Sequence, residues 1–186
     1  MQIEATKKRF TVDEYYKMDE AGILTEQERT ELIDGEIIVV GGMGSRHAAV
    51  ISRVTSLFVK RFNGMALPRF QLPFRIDDYN ELQPDAALFK PNESFYATKH
   101  PEPADAMLVF EISDSSLKYD RDIKLKVYAA ANVPEVWIVD LRGNSLLVFR
   151  DPSARTYKTS LSFGRDDSIS CLAFPDIHLP VRELLA

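Results

Sequence analysis

The stretch Met107-Leu-Val-Phe-Glu-Ile-Ser113 decides how this chain is read. A nearly unbroken apolar run of strand length is the pattern of a central strand buried on both faces. Inside it sits one carboxylate, Glu111. Such a group is costly in a buried strand unless something compensates it. Glu111 therefore has two readings: a member of a functional site, or half of a structural pair with Lys124 or an arginine.

Working outward, Tyr119 to Ala131 carries Ile123, Val127 and Ala130 at helical spacing and is stopped by Asn132-Val-Pro134. Val136-Trp-Ile-Val139 then reads as another strand, with Trp137 as core. Upstream, Ala66 to Ile76 and Leu82 to Phe89 read as two strands joined by the polar turn Asp77-Asp-Tyr-Asn80. Ser45 to Phe62 places Val50, Ile51, Val54, Leu57, Phe58 and Phe62 on one stripe, which predicts a long amphipathic helix. Thr11-Val-Asp-Glu14 has the form of a capping box, so a first helix starts at Val12 and ends near Gly22. Glu26 to Ile33 reads as a second, short helix, leading through Asp34-Gly35 into a strand over Glu36 to Val40. After Asp140, Leu146 to Phe149 and Thr156 to Leu161 suggest antiparallel hairpins, closed by a helical turn over Val181 to Leu185. The order of elements implies an α/β (α+β) fold with a mixed central sheet flanked by helices.

Nearly half of the 186 residues are apolar, enough for one hydrophobic core and short for two, so residues 1–186 are read as a single domain. The one cysteine, Cys171, rules out an internal disulfide or a thiolate zinc site and fits a reducing cytoplasm. No apolar run is long enough to span a bilayer, and Met1 to Phe10 lacks the apolar stretch of a secretory signal, so no membrane partner is expected. A formal net charge of −5 argues against nonspecific binding to nucleic acid. That average hides an asymmetry, because Gly41 to Ile76 contains no acidic side chain but six basic ones: Arg46, Arg53, Lys60, Arg61, Arg69 and Arg75. The stretch is either a phosphate-facing surface or a solvated helix face.

Chemistry concentrates in Pro84-Asp85 at the start of one strand, Glu111 inside the next, and Lys124 on the following helix. Two carboxylates on adjacent strands, helped by the backbone carbonyl of Ile112, would supply hard oxygen ligands for Mg2+ or Mn2+. Such an ion makes a nucleophile of bound water, and a nearby ammonium offsets negative charge developing on a phosphoryl group. Each residue also has a plainer reading: Asp85 as a turn carboxylate, Lys124 as a solvated helix lysine, and His47 as a packed or capping side chain. No Gly-x-Ser-x-Gly elbow and no phosphate-binding glycine loop is present, so no organic cofactor is expected. His100 and His178 have no His-Cys spacing that would suit zinc.

These residues resemble the PD-(D/E)xK nuclease fold and, more closely, the Uma-two family within it. The resemblance is carried in order by Glu31-Leu-Ile-Asp-Gly-Glu-Ile37, His47, Pro84-Asp-Ala-Ala-Leu88 and Val109-Phe-Glu-Ile-Ser113. Asp120-Arg-Asp-Ile-Lys-Leu-Lys-Val-Tyr128 and Val133-Pro-Glu-Val-Trp-Ile-Val-Asp140 complete it. It implies a restriction-endonuclease-like sheet flanked by helices, Asp85 and Glu111 as metal ligands, and Glu31 as a further carboxylate close by. The chain departs from the broader pattern at Ser113, where many such enzymes carry the catalytic lysine. In the Uma-two family the lysine has moved to the following helix, and Lys124 matches that position. Four residues later, Tyr128 shares its helix face, whereas Lys126 points elsewhere.

The expected activity is metal-dependent endonucleolytic hydrolysis of DNA by a metal-activated water, carried out by a homodimer. The alternative is a catalytically inactive module of the same fold that binds nucleic acid or another protein.

Overall fold

The computed structural model describes residues 6–25 and 28–185. The first helix, α1 (Val12–Glu20), begins at the anticipated capping box. The Thr11 hydroxyl accepts the Glu14 amide at 3.2 Å, and the Glu14 carboxylate accepts the Thr11 amide at 2.9 Å.

The next element corrects the sequence reading. Where Glu26 to Ile33 was expected to be helical, Thr30–Ile33 is a strand, β1, paired antiparallel with β2 (Glu36–Val39). Glu26 and Gln27 lie outside the described residues. Asp34 and Gly35 both adopt positive φ, 50° and 75°, as a two-residue hairpin turn requires, and this turn sets the register that places Ile33 opposite Glu36. A Cβ at position 35 would also meet Arg9 Cβ at 2.7 Å, so glycine is needed there twice over. Pairing across this turn outweighs the weak local preference for helix.

The long helix α2 (Ser45–Phe62) has the limits that the hydrophobic stripe predicts. The two long strand readings that follow each divide in two: β3 (Leu67–Arg69) and β4 (Phe74–Asp77), then β5 (Asn80–Leu82) and β6 (Ala86–Phe89). Prolines 73 and 84, which have no amide to donate, and Gln71 at φ 51° interrupt the ladders. The pieces then join different sheets. A four-stranded antiparallel sheet runs β2-β1-β5-β4, and β3 and β6 belong to a six-stranded sheet.

That larger sheet has the order β10-β9-β8-β7-β6-β3. Its centre is β7 (Ala106–Ser113), which lies parallel to β8 (Glu135–Asp140) and antiparallel to β6. The crossover from β7 to β8 comprises α3 (Leu117–Tyr119), a π-helical turn (Asp120–Lys124) and α4 (Leu125–Ala130). The expected single helix over Tyr119 to Ala131 is thus interrupted by a wider turn, a feature often found at functional sites. Strands β9 (Ser145–Ser153) and β10 (Thr156–Phe163) form the anticipated C-terminal hairpin. A short ladder, β11 (Ser168–Ile169) with β12 (Leu179–Pro180), and a 3-10 turn over Val181–Glu183 close the chain.

Both faces of β7 are covered, which explains its continuous apolar sequence. Leu108, Phe110 and Ile112 pack with Val50, Val54, Leu57, Phe58 and Phe62 of α2, and Trp137 lies in the same cluster, as expected. The Phe58 ring stands edge-on to Phe110 at 5.6 Å. Val109 faces the other way, toward Val127 and Tyr128 of α4 and Phe74 of the smaller sheet. With side chains alternating along a strand, Glu111 shares that second face.

Candidate active site

Register brings the first two site residues together. Ala86 pairs with Phe110, so Asp85, just before β6, stands beside Glu111 of β7, and the Asp85 amide lies 3.4 Å from Glu111 Oε2. The Asp85 carboxylate is fixed from several sides. Ile112 enters the site through its amide, which donates to Asp85 Oδ2 at 2.9 Å. Gln71 Nε2 donates to Oδ1 at 3.3 Å, and His47 Nε2 lies 3.0 Å from the same oxygen, within ion-pair reach but without hydrogen-bond alignment. Burial works to raise the Asp85 pKa, but the imidazole and the Ile112 amide outweigh it and hold this carboxyl below its ordinary value.

Glu31 enters from β1 of the smaller sheet, and Lys124 from the end of the π turn. Lys124 Nζ lies 3.0 Å from Glu31 Oε1 and 3.4 Å from Glu111 Oε1, while the Tyr128 hydroxyl donates to Glu111 Oε1 at 2.7 Å. Lys124 and Tyr128 therefore do share a face, and Lys126 is exposed. The Tyr128 ring is held by stacking on Phe74, with centroids 6.4 Å apart. Glu31 is 1 % exposed, Glu111 3 % and Lys124 6 %, so the plainer reading of Lys124 as a solvated helix lysine does not hold.

One ammonium thus serves two buried carboxylates. Burial pushes Glu111 up to about 8, against the pull of Lys124 and with added repulsion from Asp85, Asp120 and Glu31. Lys124 is moved above its ordinary value, because Glu111, Glu31 and Asp120 outweigh the burial that would lower it. The ammonium stays charged, and Glu111 holds a proton near neutral pH.

The sequence reading missed several contributors. Asp120, buried on the π turn, accepts from the Ser113 hydroxyl at 2.6 Å and the Ser116 hydroxyl at 2.7 Å. Ser113, which occupies the usual lysine position, therefore anchors the crossover. Gln83 fixes Glu31 by donating its amide to Oε1 at 2.8 Å, and Arg29 in turn holds the Gln83 carbonyl at 2.7 Å. Asp120 lies within the quoted family segment, four residues before Lys124, and that spacing was the available signal for it. No sequence signal marks Gln83 or Arg29.

Glu31, His47, Asp85, Glu111, Asp120 and Lys124 line one cleft of about 320 Å³, together with Arg29, Gln83 and the glycine-rich segment between β2 and α2. A more open depression of about 560 Å³ near Arg75 and Glu102 holds none of this constellation. The basic residues of Gly41 to Ile76 do not gather at the cleft. Arg75 pairs with Asp13 and Asp78, Arg46 donates to the Leu141 carbonyl, and Lys60 and Arg61 lie roughly 20 Å along α2 from His47. Among the described residues, His47 is the one side chain of this stretch able to carry positive charge that lines the cleft.

Among the described residues, no three His, Cys, Asp or Glu side chains form a ready metal-ligating group. The donor chemistry nevertheless suits a hard divalent cation that keeps several waters. Asp85 and Glu111 are neighbouring carboxylates, and Glu31 Oε2 is buried without a hydrogen-bond partner.

A mixed sheet with a β7-helix-β8 crossover, and carboxylates and a lysine converging at its centre, defines a restriction-endonuclease-like fold. The Uma2 family model, described as "putative restriction endonuclease", matches residues 12–182, and the chain belongs to that family. Among solved structures, the chain is similar to a "putative nuclease belonging to DUF820" from Anabaena variabilis ATCC 29413, solved at 1.96 Å resolution. The TM-score is 0.71 and the identity 19 %, over 94 % of this chain and 97 % of that one. No curated protein matches. No helix among the described residues is long and apolar enough to cross a membrane.

Proposed function

We propose that this protein is a divalent-metal-dependent phosphodiesterase that cuts DNA endonucleolytically, with Asp85 and Glu111 as metal ligands and Lys124 as the catalytic cation. The observation that carries this reading is the acidity of the cleft: five acidic side chains, Glu31, Asp85, Glu111, Asp114 and Asp120, stand against two permanent cations, Arg29 and Lys124, and the acids still outnumber the cations with Glu111 protonated. A phosphodiester is repelled by that field unless a cation neutralises part of it.

Bound Mg2+ or Mn2+ would supply charge stabilisation and a water of lowered pKa. The chain's own residues do the rest. The Ile112 amide and His47 hold Asp85 ionised and oriented, ready to serve as a ligand. The Ile112 carbonyl is part of the same proposed ligand set. Tyr128 fixes the Glu111 carboxylate on its Oε1 side, leaving Oε2 toward Asp85. Lys124, positioned by Glu31, presents an ammonium that offsets charge developing on the phosphoryl oxygens during in-line attack. A homodimer would let two such clefts address two strands, and β10, an edge strand of the large sheet, offers a place for a second copy to pair.

The test is incubation of supercoiled plasmid, linear duplex, single strands and RNA with the protein and Mg2+ or Mn2+. The expected result is nicked and linear plasmid, lost on chelation and in Asp85→Asn and Lys124→Ala. Intact DNA under every condition would sink the reading, and cleavage undiminished in Lys124→Ala would remove that residue from the mechanism.

A further inference from the structure

Three buried polar atoms on cleft residues have no hydrogen-bond partner among the described residues; His47 Nε2 has the Asp85 carboxylate 3.0 Å away as an ion-pair neighbour, and the two that remain are of opposite kind. One is the acceptor Glu31 Oε2. The other is the hydroxyl of Tyr119, a donor that none of the roles above uses. Both residues line the cleft that contains Asp85, Glu111 and Lys124. Buried polar groups are nearly always satisfied, so two complementary orphans on side chains that line one cavity mark a place where something from outside completes the set.

The backbone explains how Tyr119 comes to be there. In an α-helix, residues five apart lie about 140° apart around the axis, so Tyr119 and Lys124 would face different ways. The π turn over Asp120–Lys124 closes with the Leu125 amide on the Asp120 carbonyl, one residue wider than an α-helical turn. That extra residue brings position 119 round toward position 124. A single helical segment then lines the cleft with Tyr119, Asp120 and Lys124.

We propose that Tyr119 is a substrate-contacting residue whose hydroxyl donates to a non-bridging oxygen of the phosphodiester drawn into the cleft, while Glu31 Oε2 accepts from the water lined up beside it. This rests on the phosphodiesterase reading of the cleft and adds a phosphate ligand that the metal and the lysine do not provide. Burial and the Glu31 charge push the phenol up to about 12, so at neutral pH it keeps the proton it needs to donate. A donor aimed at a phosphate oxygen is stronger than one aimed at a neutral group. It is also held in advance of the substrate, which lowers the ordering cost of binding.

The experiment compares the native chain with Tyr119→Phe. Fluorescence anisotropy follows a short labelled DNA duplex with Ca2+ in place of Mg2+, and thermal melting is recorded in parallel. Loss of one hydrogen bond to a charged group predicts binding about tenfold weaker for Tyr119→Phe. Its melting temperature should be no lower than native, because the change removes an unsatisfied buried hydroxyl and creates no cavity. Binding within twofold of native overturns the proposal. So does a clear fall in melting temperature, which would make the hydroxyl a structural group bridged by water. A native protein that binds no duplex overturns it as well. The tenfold gap in a native protein that leaves plasmid intact would keep Tyr119 as a phosphate contact while the cleavage reading falls. Cleavage with unchanged Tyr119→Phe binding would do the reverse.

Discussion

Lys124 Nζ and Glu31 Oε1 lie 3.0 Å apart although 93 residues separate them in sequence. This contact joins the crossover helix of the large sheet to the smaller sheet, in a place where both side chains are almost fully buried. Removing one member of a buried pair leaves the other charge uncompensated, at a typical cost of about 3–5 kcal/mol. Lys124→Met should be destabilised by that order in urea unfolding, and a second change, Glu31→Gln, should recover part of the loss. Additive effects in the double variant would show that the contact is not energetically coupled.

The pH dependence of stability follows from Glu111. Its folded-state pKa, about 8, lies above the ordinary value of 4.5, so between those limits the folded protein holds a proton that the unfolded chain has released. Stability of the metal-free protein should therefore fall as pH rises from about 4.5 to about 8. Asp85 acts in the opposite sense: its carboxyl is held below its ordinary value of 3.8, so its contribution is present above that value and is lost as pH falls through the lowered pKa. Urea unfolding at pH 5.5, 7 and 8.5 should show the decline in the native chain and a flatter profile in Glu111→Gln. An identical slope in both would assign the proton to another group.

Cation binding should compete with that proton. Because a ligating carboxylate must be ionised, binding of Mg2+ or Mn2+ near neutral pH should release protons and tighten as pH rises toward 8. Calorimetry in buffers of different ionisation enthalpy reads the release directly. The Asp85→Ala, Glu111→Ala double variant should show no saturable heat. If the native chain shows none either, the carboxylates form a structural network and the inactive-module reading is the better one.

A control for these variants lies across the sheet. Glu135, fully buried on β8, accepts from Trp137 Nε1 at 2.7 Å, from Arg150 at 2.7 Å and from the Leu172 amide at 2.6 Å. It ties the C-terminal segment to the large sheet and touches none of the cleft residues. Glu135→Ala should cost about 3 kcal/mol or more by stranding Arg150. Metal affinity per folded molecule should stay unchanged, measured by calorimetry below the melting transition.

Sequence patterns located α1, α2, β7 and β8 because each carries its own signal: a capping box, an 18-residue amphipathic stripe, and apolar runs buried on both faces. Glu111 stood out for the same reason, as a lone charge where burial makes charge expensive. The misreadings fall where a distant partner outweighs local preference. Thr30–Ile33 is a strand because Glu36–Val39 pairs with it. The Ala66 to Ile76 and Leu82 to Phe89 stretches divide because their halves serve two sheets. The π turn has no counterpart in side-chain periodicity, so neither Tyr119 nor Asp120 was assigned to the site.

For the constellation at the heart of β7, the sequence by itself determined which residue types were available: a buried Glu111, a Pro-bounded Asp85, and a lysine displaced from position 113. Only the tertiary structure decided that Asp120 joins them, that one ammonium must serve both Glu31 and Glu111, and that Tyr119 turns inward. The reason is physical. Burial and charge pairing depend on distances between elements far apart in the chain, and those distances exist only once the two sheets and the crossover helix have packed.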